Sequence, residues 1–515
     1  MWRTSWSPCA IAVGMSVAAA RARAWARFKA AAVTVCVAAS AAVLAVGCAV
    51  GPGYQRPAVE LPDRWQANAA PDAPAAGAWW AEYRSAELDR LMAEAIAGNR
   101  DLRAAASRVA QARALAQAAG ASQWPALGAN ANATRGRRTG GNGGSGEAVS
   151  SSFDAGIAAV FELDFWGKNA RAHDAALARV QSSEYAQRAV QLALQAEVAT
   201  AYFRALSAAD RLAIARHALA NAEAVLRLVR VQREAGALSG LELARQQALV
   251  ASVNADIAPI EQQRQQALDA LAVLTGRPPQ ALGLAGTSLA SMRLPPVAAH
   301  MPAHLLTARP EIRQAEADLV AANADLRAAR AAFFPSIVLT AAGGFESASL
   351  ASLLRAGSVV HALAAGLTAP LFDGGRLRAQ QALATAREDE LVQVYQQSIL
   401  TALRDVEASL VAAQRLAEQA AHQREVIAHA DVALRLAETR FRSGAIDFTT
   451  VLDAQRVLLA ARAAQAATEF ERYAASVALQ RALGGSATGG STGGSTGGRA
   501  DANAATLAAA PATAR

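Results

Sequence analysis

The chain has 515 residues, enough for two or three domains, and is 53% hydrophobic but only 5% aromatic, with alanine dominant, a composition that favours extensive helix. Of the formal charge of +8, five units come from Arg3, Arg21, Arg23, Arg27 and Lys29, before residue 48, with no acid among them. Beyond them arginine is scattered and Lys168 is the only lysine, so no basic stripe with interleaved aromatics exists and nucleic-acid binding is excluded.

Residues 1–47 read as an export signal. Arg21 to Lys29 form its basic region and Ala30 to Val46 its apolar run, ending in LAVGC. Small residues before Cys48 mark a bacterial lipoprotein signal, although Ala45 stands where leucine is usual and Leu44 is one further back. As a membrane anchor the run is at the short end of what spans a bilayer. Met15 offers a second start giving a signal of more ordinary length. Cys9 and Cys36 lie in the leader, so the mature chain keeps only Cys48 and no disulfide framework is possible.

After an extended proline-containing segment (48–85), the pattern is helical over about 86 to 122. Leu127, Ala129, Ala131 and Ala133 then alternate with Gly128, Asn130, Asn132 and Thr134, the period of a strand with one apolar face. The glycine-rich RGRRTGGNGGSGE predicts an exposed hairpin loop, and a second strand from near Phe153 carries Ile157, Ala159, Phe161, Leu163 and Phe165. At Gly167 the period turns helical, and 168–236 lacks proline and almost lacks glycine. A turn near Gly236 leads to a helix over 240 to 275. The plan then repeats. Leu102 matches Ile312 and Pro125 matches Pro335 at an offset of 210; Gly236 matches Gly444 and Gly276 matches Gly484 at 208. The second copy predicts strands through Ile337, Leu339, Ala341 and Phe345 and through Leu363, Ala365, Leu367, Ala369 and Leu371. A bend at Asp373-Gly374-Gly375 precedes a helix over 376–443 whose seam is Leu391, Tyr395, Ile399, Leu403, Val406, Leu410, Ala413 and Ala417. The repeats span 86–300 and 301–484; 485–515 is a glycine-, serine-, threonine- and alanine-rich tail expected to be disordered.

Helices of nearly 70 residues are about 100 Å long. The shorter ones together equal one long helix and could stack end to end beside it. Four strands cannot close a membrane barrel, for which about eight is the minimum, and open edges are not tolerated in lipid. If the strands enter a membrane, copies of the chain must share the barrel, with the helices continuing below it as a tube. Gly167, Gly374 and Gly375 stand where sheet wall becomes helix wall.

GCAVGPGYQRP, FELDFWGKNARAHDAALA, AFFPSIVLT, APLFDGGRLRA and FRSGAIDFTTVLDAQRVLL, among other segments in order between 48 and 484, resemble the NodT/OprM-type outer membrane factor lipoproteins, relatives of TolC. The resemblance implies an α+β membrane protein with two structural repeats. It implies a homotrimer sharing a twelve-stranded transmembrane β-barrel over a periplasmic α-helical tunnel. The implied function is the passive outer membrane exit duct of a tripartite efflux pump for drugs or other small molecules. The implied partners are a periplasmic adaptor, an inner-membrane transporter, commonly of the resistance-nodulation-division class, and outer membrane lipid at Cys48. No cofactor and no catalysis are expected. His300 and His304 have metal-like spacing, but Pro302 separates them without an acidic or cysteine partner; no nucleophile elbow, phosphate loop or HExxH is present. An exit channel for type I protein secretion fits the same residues. A coiled-coil structural lipoprotein explains the helices but not four amphipathic strands.

The helix-hairpin tips are expected to meet adaptor and pump: Ala237, Leu238, Ser239 and Gly240 in the first repeat, Ala445, Ile446 and Asp447 in the second. A tube open at rest would leak, so its periplasmic end must narrow. Asp453, about two turns past Gly444, becomes a ring of three carboxylates in a three-fold assembly and needs counter-charge. The repeat offset puts Arg245 at the equivalent position. In the family the corresponding aspartate lines the constriction, whereas Thr449 stands where close relatives carry a larger apolar gate residue. The alternative is an exposed Asp453 paired with Arg456.

Overall fold

The computed structural model describes residues 52–67, 70–71, 78–139, 147–286, 288–299 and 301–485. Cys48, the rest of the leader, the centre of the first hairpin loop, His300 and all of the tail beyond residue 485 therefore lie outside the described residues.

Four strands, β1 (Ala126–Thr139), β2 (Glu147–Leu163), β3 (Ser336–Ser347) and β4 (Val359–Thr368), form one antiparallel sheet in the order β1-β2-β3-β4. The two repeats join where β2 pairs with β3, Phe161 opposite Leu339 and Ile157 opposite Gly343. Among the described residues the outer edges of β1 and β4 have no partner. Alternation was expected to carry the last strand to Leu371, but it stops at Thr368. Pro370 has no N–H for a ladder, and Leu371 is almost fully exposed.

The helices are α1 (Ala86–Gly98), α2 (Arg100–Ala121), α3 (Lys168–Glu234), α4 (Gly240–Ala255), α5 (Ile257–Leu274), α6 (Pro310–Ala331), α7 (Arg376–Arg442) and α8 (Phe448–Ala482). Helices α3 and α7 are continuous over 67 residues each, about 100 Å of rise. Near the sheet the wall runs α2-α3-α6-α7, the order of the strands they adjoin; farther away it runs α4/α5-α3-α8-α7. Among the described residues no helix is long and apolar enough to cross a membrane.

Two helices expected to be continuous are broken. The 86–122 helix splits at Asn99, whose backbone is extended. Its buried side chain accepts a hydrogen bond from the Leu102 N–H (2.9 Å) and donates one to the Leu274 carbonyl (3.0 Å), satisfying the orphan groups of two helix ends. The 240–275 helix splits at Asp256, because Pro259 in the first turn of α5 cannot donate backward. The expected seam of α7 also shifts. Leu391, Tyr395, Ile399, Val406 and Leu410 are buried, but Ala417 is exposed and Ala420, Ala430 and Ala437 take over. The seam moves because α7 exchanges its partner from α6 to α8 as it descends.

The short helices meet end to end at closely packed joints. Gly276, after α5, has φ +74°, and a Cβ there would sit 2.4 Å from the Gly98 carbonyl oxygen. Gly484, after α8, has φ +92°, and its Cβ would sit 2.6 Å from that of Ala308. Around these joints lie two aromatic-centred cores. In the first, Trp79, Tyr83, Leu91 and Met92 pack on Val198, Tyr202 and Phe203 of α3, with ring centroids 4.9 Å apart for Tyr83–Phe203 and 5.0 Å for Phe203–Tyr473. In the second, Leu305, Ile312 and Leu319 pack on Tyr395, Ile399 and Val406 of α7, and Tyr54, Leu61 and Trp65 of the N-terminal segment lie against them. That segment is tied down by Arg56 to Glu316 (2.5 Å) and by Gln66 and Ala67 backbone N–H groups to Glu407 (3.3 and 2.9 Å).

Replacing Gly276 by alanine forces a left-handed L-residue and a Cβ into an occupied space. It is expected to cost more than about 1 kcal/mol and to lower the thermal unfolding midpoint. Gly283→Ala, at a position with open space around it, should leave the midpoint unchanged.

Candidate functional site: a channel wall in one protomer

Residues opposite one another across an antiparallel ladder share a face. The register sets Leu127, Ala159, Ala341 and Leu363 in one row, and Ala129, Ile157, Gly343 and His361 in the next. With Phe153, Phe161, Leu339 and Leu367 these make one apolar face, and Leu127, Ile157, Leu363 and Leu367 on it are exposed. The other face is small and polar: Asn132, Asp154 and Glu346 form a row, and the Asn130 and Asn132 amides both donate to one Asp154 oxygen at 2.9 Å. Apolar outside and polar inside is the pattern of a transmembrane barrel wall.

All four strand–helix junctions carry aromatic rings: Trp124 before β1, Phe165 and Trp166 after β2, Phe333 and Phe334 before β3, Phe372 after β4. Trp166 stacks on Phe334 at 4.8 Å and donates its indole N–H to the Pro335 carbonyl at 2.7 Å. Trp124, Phe165 and Phe372 are exposed. Such a row marks a membrane–water interface. Scattered singly along the chain, these rings gave no periodic signal; their common level emerges only when the four junctions align.

At the same level the sheet becomes helix. Gly167 and Gly375 stand at the N-caps of α3 and α7 with φ of 77° and 87°, and Gly374 precedes Gly375 in the same conformation. Sequence reasoning put Asp373 in the second bend but missed that it and Asp164 cap the helices that follow. Asp164 accepts the Ala170 N–H at 2.7 Å, and Asp373 accepts those of Gly375 and Leu377 at 3.0 Å each. The signal was available, because an Asp-x-x-Gly or Asp-Gly-Gly ahead of a long helix is an N-terminal cap. Hydrogen bonding to the Leu377 N–H, and then to Gly375, holds the Asp373 carboxyl below the usual carboxylate range.

Below the junction α3 has two faces. One is covered by the Trp79–Tyr83 core. The other, through Glu197, Thr200, Arg204 and Arg211, lines a furrow between α5 and α8 whose widest part is a cavity of about 1000 Å³. Arg204, with its guanidinium 5.7 Å from the Phe470 ring, joins that part to the next. This is a concave wall in which charged and polar groups (Glu197, Arg204, Asp269, Arg309, Asp405) are set among a larger apolar area of alanine, valine and leucine.

At the far end the first tip turns at Gly236, and Ser239 and Glu242 form a capping box at the start of α4. Ala237, Ser239 and Gly240 are exposed, and Leu238 tucks into the core beneath. At the second tip Ala445 and Asp447 are exposed and Ile446 joins the same core. Phe448, Val451 and Leu452 are buried against Val229, Leu249 and Val253. Asp453 points away from them, three-quarters exposed, with Arg456 3.9 Å distant. Arg245 is exposed on α4, and the protomer forms no ion pair between it and Asp453; Thr449 is half-buried.

The outer membrane efflux protein family model matches residues 91–277 and 301–485. The chain belongs to the outer membrane efflux protein family. The efflux protein is 39% identical over 454 residues to the pyoverdine export outer membrane protein OpmQ of Pseudomonas aeruginosa, covering 87% of this chain and 95% of that one. It is 33% identical over 453 residues to the cation efflux system protein CusC of Escherichia coli K12, covering 86% and 97%. The crystal structure of the open state of the Neisseria gonorrhoeae MtrE outer membrane channel matches with a TM-score of 0.78 at 32% identity, covering 85% of this chain and 98% of that one. The efflux protein therefore has the TolC-like fold and works in the outer membrane as a component of an efflux system.

The ionised Asp373 cap stabilises the start of α7 above the ordinary carboxylate pKa of about 4, and that contribution is lost as pH falls through its lowered native pKa. Asp373→Ala should speed hydrogen–deuterium exchange at Gly375 and Leu377 at neutral pH. Wild type should approach the variant's rate, after correction for intrinsic exchange, only below about pH 4.

Proposed function

We propose that three copies of this chain close a twelve-stranded barrel and a helical tunnel, forming the passive exit duct of a tripartite efflux pump. One observation carries the reading: a four-stranded sheet with an apolar face and two unpaired edges continues directly into helices of about 100 Å. Unpaired backbone edges cannot stand in lipid, four strands are too few to close, and identical copies supply the missing strands. The chain contributes a conduit and no chemistry of its own. Energy and cargo come from an inner-membrane transporter of the resistance-nodulation-division class through a periplasmic adaptor. The tips around Ala237 and Ala445 are the docking points for these partners. Lipid at Cys48 anchors the mature N-terminus. The cargo is drugs or other small molecules; OpmQ is named for pyoverdine and CusC for cations, both small solutes. Native mass spectrometry of the protein purified from outer membranes should give a trimer with an acylated N-terminal cysteine on each copy; a monomer overturns the shared barrel.

Asp453 forms the periplasmic ring, with Arg456 of its own helix and Arg245 as available counter-charges and Thr449 as its less bulky neighbour. In planar bilayers Asp453→Ala should alter single-channel conductance or reduce cation preference, and indistinguishable traces would remove Asp453 from the constriction.

A further inference from the structure

The apolar face of the sheet ends in positive charge. On β1 the residues of that face run Leu127, Ala129, Ala131, Ala133 and then Arg135, which pairs with Ser151. Arg135 stands nine residues beyond Ala126, where β1 leaves the aromatic row. At about 3.3 Å per residue and a tilt of about 40°, that is about 23 Å of height. The apolar band of an outer membrane barrel is about 25 Å tall. Arg135 is therefore one hydrocarbon thickness above the periplasmic interface, at the level of the outer headgroups. Phe153 on β2 and Phe345 on β3 lie on the same face near this height, as an outer aromatic row would.

A second arginine reaches that rim from the other edge of the sheet. The loop between β3 and β4 is held by its serines: the Ser347 and Ser352 hydroxyls are 2.8 Å apart, and the Ser358 hydroxyl donates to the Ser352 carbonyl at 2.8 Å. Ser347 pairs with Phe153, so its side chain is on the apolar face and the loop folds against the lipid side of the rim. Leu353 anchors the loop; Leu354 and Arg355 project, and Leu354 is 77% exposed. Leucine beside arginine suits the boundary between acyl chains and phosphates. Neither Arg135 nor Arg355 has a carboxylate partner among the residues whose side chains are described; Asp154 and Glu346 lie in the polar row of the opposite face, and Glu147, at the start of β2, shares the face of Arg135 but stands four residues beyond its partner Ser151.

Arg135 and Arg355 sit at opposite edges of one protomer, which the trimer proposed above brings together. We infer that each junction between copies pairs Arg135 of one with the Leu354–Arg355 loop of the next, forming three basic rim sites for the phosphates of an outer-leaflet glycolipid. Exposed guanidinium groups at headgroup level bind phosphate bidentately, whereas a neutral or zwitterionic lipid offers no matching net charge.

The test offers the purified full-length protein lipid A with its phosphates, the same lipid A dephosphorylated, or phosphatidylcholine, and counts adducts by native mass spectrometry. Phosphorylated lipid A should be retained on the trimer at least about tenfold better than the other two. Arg135→Gln with Arg355→Gln should lose that preference while remaining trimeric, and the double lysine variant should keep most of it. A trimer that retains both forms of lipid A equally, or a glutamine variant that behaves as wild type, overturns the rim assignment alone. A species that is not a trimer overturns the assembly and the shared site with it.

Discussion

The two unpaired sheet edges constrain everything else in this molecule. A backbone amide or carbonyl without a partner costs several kcal/mol in hydrocarbon. A chain that places four strands in a membrane is therefore committed to self-association. The same commitment fixes the helices. Four of them, α2, α3, α6 and α7, are each joined to a strand by a short turn, so the order of the strands becomes the order of the upper helical wall. Closure of the sheet and closure of the tube are one event.

The repeat supplies the economy of the design. Each half builds one strand hairpin, one continuous helix of 67 residues and shorter helices that lie end to end beside it, and the two halves meet along β2 and β3. The copies are not identical. Asn99 and Arg309 occupy equivalent positions ahead of the ascending helices. The first is neutral and fully hydrogen-bonded; the second is a nearly buried cation held loosely by Glu311 and Asp405 at 3.5 and 3.4 Å. The start of the N-terminal segment, from Tyr54 to Ala67, lies along the second half, whereas Trp79 and Tyr83 at its end pack on the first.

Much of this was legible in the residues, because the signals are periodic and long. The period of two from Ile157 to Leu163 and the proline-free run after Gly167 specify strand and helix without tertiary help. The breaks at Asn99 and Asp256 were not legible. Asn99 is extended where its side chain meets the carbonyl of Leu274, 175 residues away. Ala417 leaves the seam because a neighbouring helix ends and another begins. The aromatic row has no sequence period, since its members come from four junctions. Asp453 was placed by the repeat and by resemblance, and the protomer adds only its exposure and its neighbour Arg456.

The joints at Gly98–Gly276 and Ala308–Gly484 give the wall an uneven stiffness. Two of the rods in each protomer, α3 and α7, are unbroken from barrel to tip, while the rods beside them are cut at mid-height and butt together through backbone contacts. A cut rod carries compression but little bending moment. The lower half can swing about that level by flexing only the two unbroken helices, and the torque that reaches the sheet is correspondingly small. The opening and closing proposed for the far end would therefore leave the barrel's register intact, much as a collar holds firm above a jointed sleeve.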